Sequence, residues 1–228
     1  MIGIFDSGRG GENVLKIMRD MGVKTDVVFL KDEKRAPYGT KSEKQIVRIC
    51  EENVQRLLDY GAKRVVIACC TTSTVHHRLP KELRQASLPI IAATAKEALK
   101  LSSPEDVTVI ATERTVSSHS FGAAIGEGTL EICAQFLVRA VEDGQRDGCV
   151  SDRTLSEIDA LLDSREAEGR STLVLGCTHF HALRKTLAAV GKAHGIKQII
   201  SSAQAAAILA KEAAEDCTDL GGRDIFLN

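Results

Sequence analysis

Two thiols carry the chemistry latent in this sequence. Cys177 follows the apolar run Leu173-Val174-Leu175-Gly176 and is followed at once by Thr178 and His179. Far upstream, Cys69 ends a second such run, Val65-Val66-Ile67-Ala68, and is followed by Cys70 and Thr71. A pair of strand-end thiols has three main uses: a redox disulfide, a soft-metal site, or acid and base on two faces of one substrate. Redox couples usually sit close in sequence with one low-pKa thiol, and these two are far apart. The chain has no C-x-x-C, and neither Cys69-Cys70 nor the nearby His76-His77 has ligand spacing, so no metal site is expected. Acid–base work remains. A thiol starts near pKa ~8.5 and can be tuned by a neighbouring Asp or His. Two of them on opposite sides of a carbon acid, such as an amino acid Cα–H, could remove a proton from one face and deliver one to the other.

The elements that must position these thiols read as strands alternating with helices. Met1 to Phe5 is a strand, and the turn Asp6-Ser7-Gly8-Arg9-Gly10-Gly11 leads into a helix from about Glu12 to Met21. Strand, glycine turn and helix together point backbone N–H groups at an anion. The turn lacks the third glycine of a dinucleotide fingerprint and the G-K-[ST] of a P-loop, so a small carboxylate suits it better than a pyrophosphate. A tight turn with no ligand is the plain alternative. After a strand at 27–30, Ala36-Pro37-Tyr38-Gly39 marks a loop. Ser42 and Gln45 have capping-box spacing for a helix to about Tyr60.

Strands are further expected at 63–68, 88–92, 107–111, 129–133, 171–176 and 198–200. Thr94 is placed to cap a helix from Ala95 to Leu101, Ser151-Asp152 another, and a helix is expected from Phe180 to Ala189. The Gly221-Gly222 tail reads as peripheral. The alternation predicts an α/β fold of two similar, doubly wound lobes with mostly parallel sheets. Residues 1–93 with 202–228 would form one lobe, on the Cys69 side, and 94–201 the other, on the Cys177 side. The cleft between them is the default site.

Composition narrows the class. The 228 residues are 43% hydrophobic, yet only 4% are aromatic and none is Trp, so aliphatic packing must dominate. A net charge of −1 gives no electrostatic footprint for nucleic acid or an anionic membrane. No apolar run approaches the ~18 residues of a membrane span, and the start of the chain does not read as a signal peptide. Free thiols fit a cytoplasmic protein, with Cys50, Cys133 and Cys149 expected as small buried hydrophobes.

Four stretches, in order, resemble the cofactor-independent aspartate/glutamate racemase superfamily, glutamate racemase above all. They are Ile4-Phe5-Asp6-Ser7-Gly8-Arg9-Gly10-Gly11, Ala36-Pro37-Tyr38-Gly39-Thr40-Lys41-Ser42, Val66-Ile67-Ala68-Cys69-Cys70-Thr71 and Leu175-Gly176-Cys177-Thr178-His179-Phe180. Weaker similarity at 109–116, 136–144 and 199–202 extends the resemblance over nearly the whole chain. It implies that Cys69 and Cys177 are the catalytic bases, that Asp6 and His179 assist them, and that Glu142 supports the histidine. It implies that Ser7, Tyr38, Gly39, Thr71 and Thr178 line the amino-acid site, with Cys70 bordering it. It further implies racemisation of an acidic amino acid, most often glutamate for peptidoglycan, with no pyridoxal phosphate, metal or nucleotide. Such lobes often pair, so a homodimer is compatible with the resemblance. Two departures bear on the substrate: Cys70 replaces an Asn, and Ala92-Ala93-Thr94-Ala95 replaces a Glu-Pro-Gly segment. They leave open a related substrate, such as aspartate or a hydantoin, or a binding protein without turnover.

Overall fold

The computed structural model describes residues 1–164, 166–215, 217 and 221–227. Its strands are β1 (Ile2–Asp6), β2 (Val27–Lys31), β3 (Val65–Ile67), β4 (Ser87–Pro89), β5 (Val107–Ala111), β6 (Leu130–Cys133), β7 (Thr172–Gly176), β8 (Gln198–Ser201) and β9 (Asp224–Leu227). Its helices are α1 (Gly10–Asp20), α2 (Glu43–Asp59), α3 (Cys70–Ser73), α4 (Lys81–Ala86), α5 (Ile90–Leu99), α6 (Glu113–Ser117), α7 (Ser120–Ile125), α8 (Gln135–Glu142), α9 (Asp152–Leu162), α10 (Arg184–Ala193) and α11 (Ser202–Glu215).

The strands form two wholly parallel sheets, in the orders β4-β3-β1-β2-β9 and β6-β5-β7-β8. Parallel strands need both faces covered, and the two-residue alternation of side chains shows how each face is met. On β1, Ile2 and Ile4 join α1, α5, α11 and residues of β5 and β7 in one core, while Phe5 joins the α2 side. On β5, Val107, Val109 and Ala111 join that same shared core, while Ile110 faces α8 and α9. The helices α1, α5 and α11 therefore form a common layer between the sheets. It is built largely of alanine, and Ala203, Ala206, Ala207 and Ala210 of α11 are wholly buried. Small side chains let the two sheets share one thin helical layer.

Local signals explain most boundaries. Ser42 caps α2 in a complete capping box with Gln45, and the Ser151 hydroxyl accepts from Thr154 N at 3.2 Å to cap α9. Several expectations are corrected. The run 88–92 is not one strand: β4 stops at Pro89 and α5 begins at Ile90. Proline cannot donate to a ladder, and Ile90, Ile91, Thr94, Ala95 and Ala98 then fall on one buried helical face. Thr94 sits inside α5 rather than capping it, its hydroxyl donating to Ile90 O at 2.8 Å. The 93/94 division falls inside α5, a helix of the shared layer. The segment after Cys177 is first a 3-10 turn, Thr178–Leu183, and α10 starts only at Arg184. The tail is not peripheral, because β9 adds to the sheet edge beside β2. Cys133 and Cys149 are exposed, in contrast to buried Cys50; both lie where the chain leaves the packed layers. Among the described residues no helix is long and apolar enough to cross a membrane.

Candidate active site

A cleft of about 560 Å³ opens where the carboxyl ends of β1, β3, β5 and β7 face one another. Its volume is within the range of small-molecule pockets. Cys69 and Cys177 both line it, the first delivered by the five-stranded sheet and the second by the four-stranded one. Cys70, Thr71, Thr178 and His179 flank them on the same walls, with Ser7, Tyr38, Gly39 and Glu142 completing the enclosure. Asp6 alone of the residues singled out by sequence lies beneath the lining, wholly buried.

The surroundings of the two thiols differ. Cys177 Sγ is 3.7 Å from His179 Nδ1, and His179 Nε2 is 2.6 Å from Glu142 Oε1. The hydrogen bond from His179 holds the Glu142 carboxyl below its usual range, so it is ionised and can only accept. Nε2 therefore carries a proton, and in the neutral imidazole Nδ1 is left free to accept from the thiol. Arg9 Nε approaches the other Glu142 oxygen at 3.7 Å across the cleft, a half-exposed pair of small energetic weight. On the opposite side, Cys69 Sγ has the Ser7 hydroxyl at 3.7 Å and no imidazole. Burial pushes both thiols up. The nearby Asp6 carboxylate adds to this at Cys69, and the neighbouring Cys70 adds to it at Cys177.

Asp6 works at one remove. Its Oδ1 accepts from Gly8 N at 2.8 Å and its Oδ2 from the Thr178 hydroxyl at 2.9 Å. Burial raises its pKa, partly offset by the nearby His179 ring and these hydrogen bonds. The glycine turn thus spends the Gly8 amide on its own aspartate rather than on a ligand. Gly10 serves packing. It lets the start of α1 lie directly against Thr178 and His179, and Asn13 Nδ2 donates to Thr178 O at 3.2 Å.

Tyr38 presents its ring to the cleft but not its hydroxyl, which donates to buried Asp32. Asn53 and Arg35 bind the same carboxylate at 3.0 and 2.6 Å, fixing the loop. Gly39 lies close against the end of the Gln135 side chain, which a Cβ there would displace. Cys70 has little free surface. It packs in the shared core.

Sequence reasoning missed Thr112 and Gln135. Both line the cleft, and the Thr112 hydroxyl is 2.9 Å from that of Thr71 and 2.8 Å from that of Thr115. Thr112 directly follows β5, so the strand-end rule that found both thiols would have found it too. Among the described residues no group of three His, Cys, Asp or Glu side chains is arranged to hold a metal ion.

Comparison with known proteins places this geometry. The Asp/Glu/Hydantoin racemase family pattern matches residues 12–210. A glutamate racemase from Aquifex pyrophilus is 35% identical over 209 residues, spanning 90% of this chain and 79% of that protein. Its similar fold appears in the solved structure of glutamate racemase from Aquifex pyrophilus, with TM-score 0.77 and 31% identity over 100% of this chain and 89% of that one. The structure of glutamate racemase from Francisella tularensis in complex with D-glutamate gives TM-score 0.84 at 26% identity, covering 99% and 86%. With two parallel sheets meeting at a two-thiol cleft and a family pattern running through most of its length, the chain belongs to the aspartate/glutamate/hydantoin racemase family.

Proposed function

We propose that the chain interconverts L- and D-glutamate without a cofactor, Cys69 and Cys177 exchanging the roles of base and acid at the two faces of Cα. The observation that carries this reading is that the two thiols line one small cleft from two different sheets. The D-glutamate bound by the Francisella relative supports the substrate. D-glutamate for peptidoglycan is the corresponding product use.

In one direction a thiolate takes the Cα proton, and the opposite thiol donates its own to the other face. The enzyme ends with its proton moved from one cysteine to the other, so charge and atoms balance. The reverse turnover restores it. His179, fixed by Glu142, accepts or returns the Cys177 proton. Ser7 and the polar start of α3 serve Cys69. The carbanion formed between the transfers is stabilised where donors already point at the substrate carboxylate. The first amides of α3 and of the 3-10 turn have no intrahelical acceptor, so Thr71 can supply both N–H and hydroxyl, and Thr178 its N–H, its hydroxyl proton being given to Asp6. Asp6 joins the two sides by holding Thr178 from the first sheet. The two lobes, one around each sheet, then act as the carriers of the bases, with α5 shared between them rather than divided at 93/94.

The test is Cα hydrogen exchange. In deuterium oxide, both glutamate enantiomers should take up deuterium at Cα, with aspartate and a hydantoin much slower. Faster exchange with either of the latter two would move the assignment within the family; this is the reading that Cys70 motivates, a thiol offering fewer hydrogen bonds than a carboxamide.

A pH dependence follows from burial. Both thiols are raised in the free enzyme, and kcat/KM reports free-enzyme groups. One of the pair must lose a proton to become a base. The ascending limb of kcat/KM is therefore expected above the ordinary thiol value of about 8.5, with activity still climbing at pH 8. Initial rates in both directions across pH 6–10 check this. A plateau already reached near pH 7 contradicts it.

A further inference from the structure

His179 and Glu142 supply a proton relay for Cys177, yet nothing comparable stands beside Cys69. The neighbourhood of Cys69 holds a different device. Cys69 has the extended backbone of an N-cap, φ −105° and ψ 117°, at the start of α3. Thr72 is the third residue of that helix, the position whose N–H an N-cap side chain accepts. Its side chain is wholly buried, and its hydroxyl has no hydrogen-bond partner among the described residues. A buried hydroxyl without a partner carries a desolvation cost, so a partner that exists in only one charge state of the site gives this one a purpose. Cys69, the N-cap of the same helix, makes no side-chain cap hydrogen bond in the structure, and its thiolate is an acceptor of the kind that hydroxyl lacks. The Thr72 hydroxyl and N–H both act on Cys69 Sγ to favour its charged form, working against burial.

We propose that Thr72 is the thiolate-holding residue of the Cys69 side, its hydroxyl and N–H donating to Cys69 Sγ when that sulfur is ionised. The assignment rests on the reading of Cys69 as a base and deepens it. A donor idle in the thiol state and engaged in the thiolate state stabilises only the reactive form, which is where a catalytic hydrogen bond has leverage. The two sides of the cleft then use different means: an imidazole with its carboxylate for Cys177, and neutral donors, those of Thr72 beside the Ser7 hydroxyl, for Cys69.

The test uses the whole, substrate-free protein and reads the thiols directly. Iodoacetamide alkylation of Cys69 and Cys177 is followed against pH by mass spectrometry, fragment ions separating Cys69 from Cys70. Thr72→Val keeps the shape and removes the hydroxyl. It is expected to shift the Cys69 profile upward by about one pH unit, a tenfold smaller thiolate fraction at fixed pH, as for loss of one hydrogen bond to a charged group. Thr72→Ser should restore the wild-type profile, and Cys177 should be unmoved in both. The proposal is overturned if the valine variant titrates Cys69 as wild type does. It is equally overturned if serine and valine shift it alike, or if Cys177 moves as much as Cys69. Should Thr72→Val lose its cooperative melting transition, Thr72→Ala set against Thr72→Ser makes the same comparison. Since alkylation needs no turnover, the result stands even if glutamate proves not to be the substrate.

Discussion

Serine in place of either Cys69 or Cys177 removes net racemisation in both directions, by at least ~10³-fold, while leaving one half of the chemistry in place. General acid–base groups contribute about 10²–10⁴-fold, and a serine hydroxyl is too weak an acid to take a thiol's place as a base near neutrality. Each half-turnover needs one cysteine as base and the other as acid, so removal of either stops inversion from both enantiomers. The remaining thiol still faces one side of Cα. It can remove the proton of the enantiomer presented to it and return deuterium to the same face. Cys69→Ser is therefore expected to retain Cα exchange with one glutamate enantiomer, and Cys177→Ser with the other. Chiral chromatography of products beside proton NMR of the Cα position reads both quantities in one reaction. Equal exchange of both enantiomers by either variant would mean that one thiol reaches both faces, and a two-base cleft would be the wrong description. The substitution is conservative in volume, and the two cysteines are only 5% and 8% exposed, so a loss confined to inversion cannot be assigned to unfolding.

The thiols were legible because strand ends in parallel sheets are where ligands are met. Cys69 and Cys177 each close a short apolar run, and each run proved to be an interior strand of its own sheet. Patterning also exposed the α2 boundary, since Ser42 and Gln45 form a purely local motif. It failed where the decision was tertiary. Ile90 and Ile91 favour strands by side-chain type, yet the shared core accepts them from a helix that starts immediately after Pro89. The tail 224–227 carries too little pattern to announce that a sheet edge awaited it. At the site, sequence named Asp6 and Tyr38 but could not say which way their polar atoms turn. Asp6 faces Thr178 rather than the cleft, and the Tyr38 hydroxyl faces Asp32. Thr72 escaped notice because a threonine inside a Cys-Cys-Thr-Thr run looks like filler until its hydroxyl is found buried and unpaired.

Gly10→Ala is expected to reduce kcat by about 100-fold in both directions although the residue touches no substrate. A Cβ on Gly10 would fall 2.2 Å from Thr178 Oγ1, 2.8 Å from Thr178 Cβ and 2.8 Å from His179 Nδ1. Neither side chain is free to swing aside. The Thr178 hydroxyl is held by Asp6 at 2.9 Å, its carbonyl by Asn13 at 3.2 Å, and His179 by Glu142 at 2.6 Å. The clash is relieved only by moving α1 and the Cys177 loop apart by roughly 1 Å, and a displacement of that size in a catalytic constellation can cost ~10²-fold. The backbone offers no other explanation. Gly10 is helical, and alanine in a helix is favoured over glycine by about 0.8–1.0 kcal/mol, so any loss must come from the contact. Overpacking of this kind costs about 1–3 kcal/mol, which lowers Tm by roughly 2–12 °C for a chain of this size and leaves a folded protein to assay. Rates with L- and D-glutamate, set beside a thermal melt of the same sample, separate misplacement from unfolding. A variant active within about threefold of wild type would show that the Cys177 loop is held by its own sheet and not by the helix that carries Gly10. The joining of the two sides through α1 would then have no part in catalysis.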